Sequence, residues 1–426
     1  MGHYKCIVNH LTDTDAYKYS MGQVLHHQFP NERSQWKLTI RSQGKKTAYL
    51  KDELEYQLNH LCELKHGEDE LSFIASHNWY SEDYIRWLRD FRLPREDIHV
   101  ARDGDVLGVW TNGLEERDHW FEIYVLEIIQ ELWMIDQPTD YEFGKKRLKE
   151  AVDKYNKIYD EGYKFTLSDF GTRRRASFDW QMFVVKYLIE NCKAFVGTSN
   201  VYMAMINGVK DMGTMAHQMF MLLQTISKFR LSESQRATFD AWLREYRGNL
   251  GIFLSDTYGF KAFLEDFDLL YAKLADGVRH DSGDPVLWCQ ILIEFYKQLK
   301  INPLTKTACF SDSLKDDDVV MLVKMFAHVI NVAIGQGTFL TNTVGGDPLN
   351  MVMKLYSGNG ISAIKLSDVA GKCNHDDEEQ IIRVKNDFNY QPLSELAYLK
   401  DNPEAITEFV KTIIEKHNSQ RLWRAY

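Results

Sequence analysis

Two short stretches combine side chains that could bind phosphate groups and a metal ion. In "GVRHDSGDP", Arg279 offers a fork of donors to phosphate oxygens, and Asp281 could hold the hydration shell of Mg²⁺. A capped turn before the helix starting near Pro285 would use the same residues without a ligand. In "FSDSLK", Ser311 and Asp312 form a second candidate cradle for a phosphate or a ribose.

Two glycine-containing stretches add a candidate phosphate loop and a reactive side chain. "IGQGTFLTN" supplies Gly335 and Gly337, which let backbone N–H groups approach a phosphate, and the hydroxyl of Thr338. A single GxGT pattern is weak evidence by itself. "GTMAHQ" sets His217 just after a Gly-Thr turn. A histidine there could act in catalysis or accept a phosphate, although a lone histidine is more often structural.

The stretch "SDFGTRRRAS" contains three consecutive arginines, Arg173–Arg175, in a chain whose formal net charge is -10. A solvated loop with charge partners nearby explains many such runs. The position of this run, directly after the strand-like "YKFTLS", favours an anionic ligand instead. Tyr17 and Phe170 each stand beside a polar motif and are candidates either for stacking on a flat ring or for packing.

A regular alternation of elements would bring these residues together. From about Tyr163, strand and helix patterns alternate, which predicts parallel strands with crossover helices in a closed or partly closed barrel. The carboxyl ends of such strands meet on the face where α/β barrels carry their chemistry. Polar residues cluster at those predicted ends: Asp169 and Arg173, Thr198 and Ser199, Thr214 and His217, Asp256, Arg279 and Asp281, Ser311 and Asp312, and Gly335 to Thr338.

The N-terminal part mixes helices and strands as far as about Tyr141. "DTDAYKYSMGQVLHHQF" opens with three residues that are good helix N-caps, and "HWFEIYVLEIIQELWMI" predicts a helix buried on most of its circumference. "DQPTDYEFGKK" breaks the pattern and marks a boundary. We therefore expect a mixed α+β domain over residues 1–140, a barrel-like α/β domain over 141–395 and a helical tail over 396–426.

Composition excludes several classes of protein. The acidic balance makes nucleic-acid binding unfavourable, and no apolar run is long enough to span a membrane. Six dispersed cysteines without a CxxC pair indicate reduced thiols of a cytoplasmic protein. The chain has no P-loop, no strand-GxGxxG-helix fingerprint and no HExxH motif.

Several phosphate cradles, a carboxylate suited to Mg²⁺ and candidate aromatic plates indicate an enzyme that handles a sugar phosphate and a flat ring. A barrel phosphatase or aldolase would use the same cradles but leaves the aromatic plates and "GTMAH" unexplained. A nucleotide-sensing module without catalytic activity would not need an acid, a base and a metal site at the strand ends.

The motifs together resemble the nicotinate phosphoribosyltransferase family, the type II phosphoribosyltransferases of NAD salvage. They occur in the family's order over nearly the whole chain: "DTDAYK", "DFGTRRR", "GTSN", "MGTMAH", "RHDSGDP", "FSDS", "GQGTFLTN" and "KLSD". The resemblance implies a small mixed α/β domain on an irregular α/β barrel. It also implies a homodimer with shared active sites, and the arginine run at the mouth of the site.

The resemblance assigns roles by position. Tyr17, reaching into the partner subunit's site, and Phe170 would be the plates around the ring, with Arg173 and Thr214 as further nicotinate contacts. Arg279 would bind phosphoribosyl pyrophosphate, as would the loop formed by Gly335, Gly337 and Thr338. His217 would be the histidine that ATP phosphorylates.

The implied reaction joins nicotinate and phosphoribosyl pyrophosphate to give nicotinate mononucleotide and pyrophosphate, with ATP and Mg²⁺. Nicotinamide, the ring used by a related family, is the alternative substrate. In that family an aspartate stands near the place of Ser199 and accepts a hydrogen bond from the amide. We therefore expect Ser199 to help select the acid over the amide.

Overall fold

Contacts along the chain divide it into two compact units, each assembled from separated segments. The computed structural model describes residues 3–370, 373 and 375–424. Unit 1 gathers the described residues of Met1–Lys157, Leu167–Gly213 and Gln336–Gly360, and unit 2 gathers those of Ile158–Thr166, Thr214–Gly335 and Ile361–Tyr426. Our sequence-based boundaries divide the chain linearly at residues 140 and 395, and that division stays a prediction.

The first 160 residues form a mixed set of helices and short strands. In chain order these are α1 Ala16–Gln28, β1 Arg33–Ile40, α2 Lys51–Glu63, α3 Glu68–Ala75, α4 Glu82–Asp90, β2 Ile98–Asp103, β3 Val106–Thr111, β4 Gly113–Leu114, α5 Glu115–Asp118, α6 Phe121–Ile135 and α7 Tyr141–Asp160.

The following residues alternate between strand and helix. In chain order these are β5 Thr166–Asp169, α8 Phe178–Asn191, β6 Phe195–Thr198, α9 Val201–Asn207, β7 Lys210–Asp211, α10 His217–Leu223, α11 Ser234–Tyr246, β8 Ile252–Leu254, α12 Phe260–Asp266, α13 Leu269–Leu274, β9 Gly277–His280, α14 Pro285–Gln298, β10 Thr307–Phe310, α15 Asp316–Phe326, β11 Asn331–Gln336, α16 Thr338–Thr341, β12 Met351–Gly358, β13 Ile361–Ser362, α17 Glu378–Asp387 and α18 Pro403–Arg424.

An antiparallel sheet forms the framework of unit 1, with strand order β12-β1-β3-β2 and β4 beside β1. Strand β1 alternates apolar and polar residues, and Trp36 and Leu38 on one face are buried. Strand β12 pairs with it along its whole length, from Ile40 opposite Met351 to Ser34 opposite Gly358. The late strand "LNMVMKLYS" therefore completes the sheet of the first unit, which the order of motifs did not predict.

Helix α6 confirms the prediction of a helix buried on most of its circumference. Fourteen of its fifteen residues, Phe121 to Met134, are buried. They include Glu127 and Glu131, whose charges need partners in the interior.

The strands from β5 to β11 pair in parallel. In unit 1, β6 lies between β7 and β5, and in unit 2 the order is β11-β10-β9-β8, all parallel. The strands are short, and helices such as α8 and α14 follow them along the chain. The predicted fold class, α/β with an N-terminal mixed α+β part, is confirmed.

Other expectations concern the surface and the chain's end. Among the described residues, no helix is long and apolar enough to cross a membrane. The six cysteines are free thiols. The predicted tail is helical over α18, with its last two residues, 425 and 426, outside the described residues. Placement in the cytoplasm stays a prediction.

Candidate active site

Polar residues directly follow the parallel strands, as the sequence predicts. Strand β6 ends at Thr198 and is followed by Ser199, and β9 ends at His280 and is followed by Asp281. Strand β10 is followed by Ser311 and β11 by Gly337. Of these residues, Thr198, Ser199 and Gly337 belong to unit 1, and Asp281 and Ser311 belong to unit 2.

In unit 1, Asp15 precedes α1 but does not cap it. The helix begins at Ala16, and its N-cap residue Asp15 makes no side-chain capping bond, which corrects the expected capping role. Instead, the Ser199 hydroxyl donates to the Asp15 carboxylate at 2.6 Å, and the backbones of Asp15 and Asn200 form an antiparallel bridge. Burial raises the pKa of Asp15 to about 6, although Ser199 and Arg173 oppose the shift.

The third arginine of the basic run is a structural residue. Arg175 is fully buried and grips Asp13 with two nitrogens, at 2.7 and 2.9 Å, while its Nε donates to Glu131 at 2.6 Å. Glu127 lies 3.4 Å away. Burial opposes the Arg175 charge, but these carboxylates hold its pKa above the usual value. The expectation that the whole run faces the mouth of the site is wrong for Arg175, because its partners come from the start of the chain and from α6.

The other two arginines of the run form a cationic group with Arg41. Burial, together with Arg173 and Arg41, lowers the pKa of Arg174 to about 10. Burial and Arg173 likewise lower the pKa of Arg41. Arg174 donates to the side-chain oxygen of Asn350 at 3.3 Å. The guanidinium groups repel one another, and an anion bound among them would relieve that repulsion.

Tyr17 lies one residue inside α1 and is partly exposed. Its hydroxyl donates to Glu122 at 3.5 Å, and the neighbouring Lys18 pairs with the same carboxylate at 2.6 Å. The backbone nitrogen of Tyr17 would lie 2.9 Å from a Cβ added to Gly213. The glycine of "MGTMAH" therefore permits a close approach between two of the motifs.

Phe170 and the GxGT loop meet through their backbones. The Phe170 N–H donates to the carbonyl of Gln336 at 2.8 Å, and a Cβ on Gly337 would lie 3.0 Å from the Phe170 carbonyl. The Gln336 side chain accepts a bond from buried Tyr155 at 2.9 Å. Its amide is therefore anchored in the interior, while the loop backbone leads into Thr338, the first residue of α16.

In unit 2, His217 is held by a fixed carboxylate. Its Nε2 lies 2.8 Å from Asp256, whose other oxygen accepts bonds from Ser282 at 2.6 Å and Lys365 at 2.9 Å. Burial opposes ionisation of Asp256, but Lys365 and His217 keep its pKa well below the usual value. Burial and then Lys365 lower the pKa of His217. The lowered pKa of His217 favours a neutral imidazole beside the Asp256 carboxylate.

Asp281 and its neighbours stand next to this pair. Asp281 lies 3.7 Å from the His217 Nε2 and accepts a hydrogen bond from Ser311 at 3.0 Å. Burial opposes its ionisation, but Arg279 lowers its pKa. The structure thus brings together five residues predicted at strand ends: His217, Asp256, Arg279, Asp281 and Ser311.

The remaining predicted residues of unit 2 are less connected to this group. The Thr214 hydroxyl donates to the Ile252 carbonyl at 2.7 Å. Asp312 follows β10 and acts electrostatically on His280. Gly335 is buried within β11.

Sequence reasoning missed three residues that define these groups. Asp13 and Asp15 were interpreted as caps only, and Lys365 was assigned no role, although each lies in a quoted motif, "DTDAYK" or "KLSD". The presence of charged residues within these motifs was the available signal. The residues that they pair with are far away in sequence, so their roles could not be predicted. Lys365, for example, is 109 residues from Asp256.

Parallel strands followed by carboxylates, hydroxyls and a glycine loop are typical of α/β enzymes, in which the active site lies at the strand ends. Residues 165–392 match the nicotinate phosphoribosyltransferase (NAPRTase) family, and residues 12–130 match the N-terminal domain of that family. The chain belongs to the nicotinate phosphoribosyltransferase family.

Individual relatives agree over most of their length. The chain is 41% identical over 397 residues to a nicotinate phosphoribosyltransferase of Chromobacterium violaceum, covering 91% of this chain and 98% of that protein. It is 39% identical over 401 residues to one of Acinetobacter baumannii, covering 91% and 99%.

Solved structures show the same fold. A nicotinate phosphoribosyltransferase of Vibrio cholerae superposes with a TM-score of 0.86 at 30% identity, covering 93% of this chain and 98% of that one. One of Porphyromonas gingivalis gives 0.84 at 29% identity, covering 90% and 100%. This similarity bears out the fold that the motifs implied.

Proposed function

We propose that this protein transfers the phosphoribosyl group of phosphoribosyl pyrophosphate to nicotinate in NAD salvage, and that ATP hydrolysis is coupled to the transfer through a phosphohistidine at His217. Membership of the family supports the transfer itself and does not favour nicotinamide as the substrate. The observation that carries the ATP coupling is the hydrogen bond between His217 and Asp256.

The Asp256 contact determines which nitrogen of His217 can react. A carboxylate only accepts hydrogen bonds, so the Nε2 atom of His217 carries the proton, and the lone pair is on Nδ1. Nδ1 would attack the γ-phosphorus of ATP; a nitrogen–phosphorus bond forms, the bond to the bridging oxygen breaks, and ADP leaves. The Nε2 proton stays against Asp256, which stabilises the charge that develops on the ring. Water later hydrolyses the phosphohistidine.

Asp281 is the carboxylate best placed to hold Mg²⁺. One ligand atom each from His217, Asp256 and Asp281 lies within 4.8 Å of the others. Asp256 is already engaged by Lys365, Ser282 and His217, whereas Asp281 is more exposed and accepts one bond from Ser311. Mg²⁺ prefers oxygen ligands and keeps several waters, so binding through Asp281 fits this chemistry. A bound ion would offset the charge of the leaving phosphate groups.

The transfer step requires positioning rather than covalent work by the protein. The pyridine nitrogen attacks the anomeric carbon while the bond to pyrophosphate breaks, and positive charge passes from the sugar to the ring. Arg279 would stabilise the departing pyrophosphate, with Ser311, Asp312 and the GxGT loop holding the ribose and its phosphate.

Unit 1 supplies the chemistry for the nicotinate ring. The ring would lie between Phe170 of one subunit and Tyr17 of the other, with its carboxylate on the cationic group of Arg41, Arg173 and Arg174. An uncharged amide would gain less from three guanidinium groups than a carboxylate does. Ser199 adds selectivity because its hydroxyl is uncharged, whereas an aspartate in its place would bring a further carboxylate to Asp15.

We further propose a homodimer in which Tyr17 of one subunit serves the site of the other. The resemblance supports this arrangement, and Tyr17 is partly exposed on its own subunit. The contact between Tyr17 and Glu122 would then position the side chain for a partner.

The His217→Asn variant tests the ATP coupling. It should abolish ATP hydrolysis and leave a slow, ATP-independent transfer at high substrate concentration, measured as nicotinate mononucleotide. Asp256→Asn should lower phosphorylation strongly, because the amide no longer fixes the Nε2–H tautomer or stabilises the charged ring. The exposed His328 provides a matched control, and His328→Asn should phosphorylate normally.

Peptide mapping after ATP treatment should place an acid-labile phosphate on "GTMAHQ". A phosphate on another peptide, or acceleration of the His217→Asn protein by ATP, would disprove the coupling. Absence of nicotinate mononucleotide from the wild-type protein with both substrates would disprove the transfer itself.

A further inference from the structure

Two consecutive histidines near the end of α1, His26 and His27, face an aspartate in the first turn of α4. One ligand atom each from His26, His27 and Asp83 lies within 4.8 Å of the other two. These residues belong to unit 1 and to none of the groups assigned to the reaction. We propose that they form a Zn²⁺ site, with Glu116 as the fourth ligand.

The backbone around the proposed site is fixed independently of any ion. The side-chain amide of Gln23, one turn before the histidines, donates to the Trp79 carbonyl at 2.9 Å and accepts from the Ser81 N–H at 2.7 Å. Tyr84 donates to the Tyr19 carbonyl at 3.1 Å. The two ligand-bearing segments are therefore already docked, which reduces the entropy cost of binding a metal.

Distances at the site suit a small ion. The His27 Nε2 lies 3.0 Å from the Asp83 carboxylate. A tetrahedral Zn²⁺ with bonds of about 2.0–2.1 Å separates its ligand atoms by about 3.3 Å, so this pair would need to open only slightly. The other separations must close by side-chain rotation, and the side chains of His26, His27 and Asp83 are 24%, 25% and 54% exposed, against 13% for Glu116.

Glu116 supplies a second, independent observation. One of its oxygens, Oε2, is buried without a hydrogen-bond partner among the described residues, and it lies 3.6 Å from the His26 Nδ1. A buried carboxylate oxygen of this kind is costly unless a cation or a donor reaches it. A divalent ion between Glu116 and the histidines would satisfy it.

The donor set favours zinc over magnesium. Two imidazoles and two carboxylates are the ligands that Zn²⁺ binds readily, whereas Mg²⁺ prefers oxygen donors alone. The site would join the C-terminal end of α1 to α4. An ordinary ion pair between His27 and Asp83 is the competing explanation, and it predicts no zinc binding.

Zinc titration tests the proposal on untagged, chelator-treated protein in millimolar Mg²⁺. The His217→Asn protein is the background, because the group of His217, Asp256 and Asp281 is a second possible zinc site. Calorimetry and metal analysis should find one Zn²⁺ per chain. Adding His27→Gln or Asp83→Asn, both at exposed residues, should weaken binding at least tenfold.

The exposed His3 provides the matched control. It pairs with Glu53 at 2.9 Å, much as His27 pairs with Asp83, but within the described part of the chain it belongs to no three-residue group of possible metal ligands. His3→Gln should therefore bind zinc like the background protein. Co²⁺ in place of Zn²⁺ should give the intense visible absorption of a four-coordinate site, and His27→Gln should lose it.

Three results would overturn the proposal. The first is no zinc bound in the presence of Mg²⁺, which would leave the ordinary ion pair. The second is equal binding by the His27→Gln and background proteins. The third is loss of binding by His3→Gln to the same degree. Equal circular dichroism and melting temperature of all proteins in chelator establish that the variants are folded.

Discussion

Asp15→Asn should stabilise this protein above pH 6, although it removes a residue hydrogen-bonded at the candidate site. Asp15 is buried, and its nearest donor is the hydroxyl of Ser199 rather than a cation. Ionisation of Asp15 therefore costs free energy that an uncharged amide of the same shape avoids, while the amide oxygen can still accept the Ser199 bond.

The size of the effect follows from the shift in the pKa of Asp15. Its pKa rises from 3.8 to about 6, a difference of roughly 2.2 units. At about 1.36 kcal/mol per unit, ionisation of Asp15 lowers the free energy of unfolding by about 3 kcal/mol at pH 8. Between those two pKa values the folded state binds more protons than the unfolded state, so stability falls as pH rises. At pH 5, where Asp15 is mostly protonated in the folded state, the loss of unfolding free energy is about 1.6 kcal/mol.

Asp13→Asn is the matched control, because a second buried aspartate two residues earlier should respond in the opposite direction. Asp13 accepts two bonds from buried Arg175, and its loss leaves that charge only Glu127 and Glu131. Removing one partner of a buried pair costs about 3–5 kcal/mol. Two chemically identical substitutions should thus change the free energy of unfolding in opposite directions.

Urea unfolding at pH 8 and pH 5, followed by tryptophan fluorescence, measures both effects. The stability gain of Asp15→Asn over the wild type should shrink by about 1.4 kcal/mol from pH 8 to pH 5. A gain that is independent of pH would mean that the Asp15 charge is not its cause. A destabilised Asp15→Asn at pH 8 would refute the reasoning that the cost of burying this charge exceeds the compensation from Ser199 and Arg173.

Two further predictions concern the active site. A Tyr17→Ala subunit mixed with an Arg279→Ala subunit should recover about a quarter of normal activity if subunits exchange at random and sites are shared; mixtures that stay inactive despite proven exchange would contradict sharing. Ser199→Asp should weaken nicotinate use far more than nicotinamide use, because the new carboxylate would repel the negatively charged nicotinate by about 4 kcal/mol at contact distance. An unchanged ratio of kcat/KM for the two rings would remove Ser199 from selectivity.

Local patterns predicted the positions of the candidate residues well. Strand β9 ends at His280, as the change from apolar to polar residues in "GVRHDSGDP" indicates, and α8 begins after its capping residue Ser177. Such features depend on neighbours in sequence. The order of the strand-end motifs could therefore be found without the fold.

Long-range partners could not be predicted in this way. Nothing in the local sequence distinguishes Arg173, Arg174 and Arg175, yet of the three Arg175 is the one that is fully buried. Its partner Asp13 lies 162 residues away in sequence, so the local pattern could not show the pairing. The pairing of β12 with β1 likewise joins segments about three hundred residues apart. Alternation of apolar residues shows that a strand has one buried face, but not which sheet it joins.

Asp256 and Asp15, two buried aspartates among the candidate site residues, differ in how readily they ionise. Asp256 receives bonds from Lys365, Ser282 and His217, so it stays ionised over the working range of an enzyme and can fix the histidine without exchanging a proton. Asp15 accepts a bond from a hydroxyl, and despite Ser199 and Arg173 burial leaves its pKa at about 6, close to neutral pH. When the surroundings of two carboxyl groups shift their pKa values apart, the two groups can take different roles. Asp256 is therefore suited to positioning, and Asp15 to taking up a proton when an anionic ring binds beside Arg173.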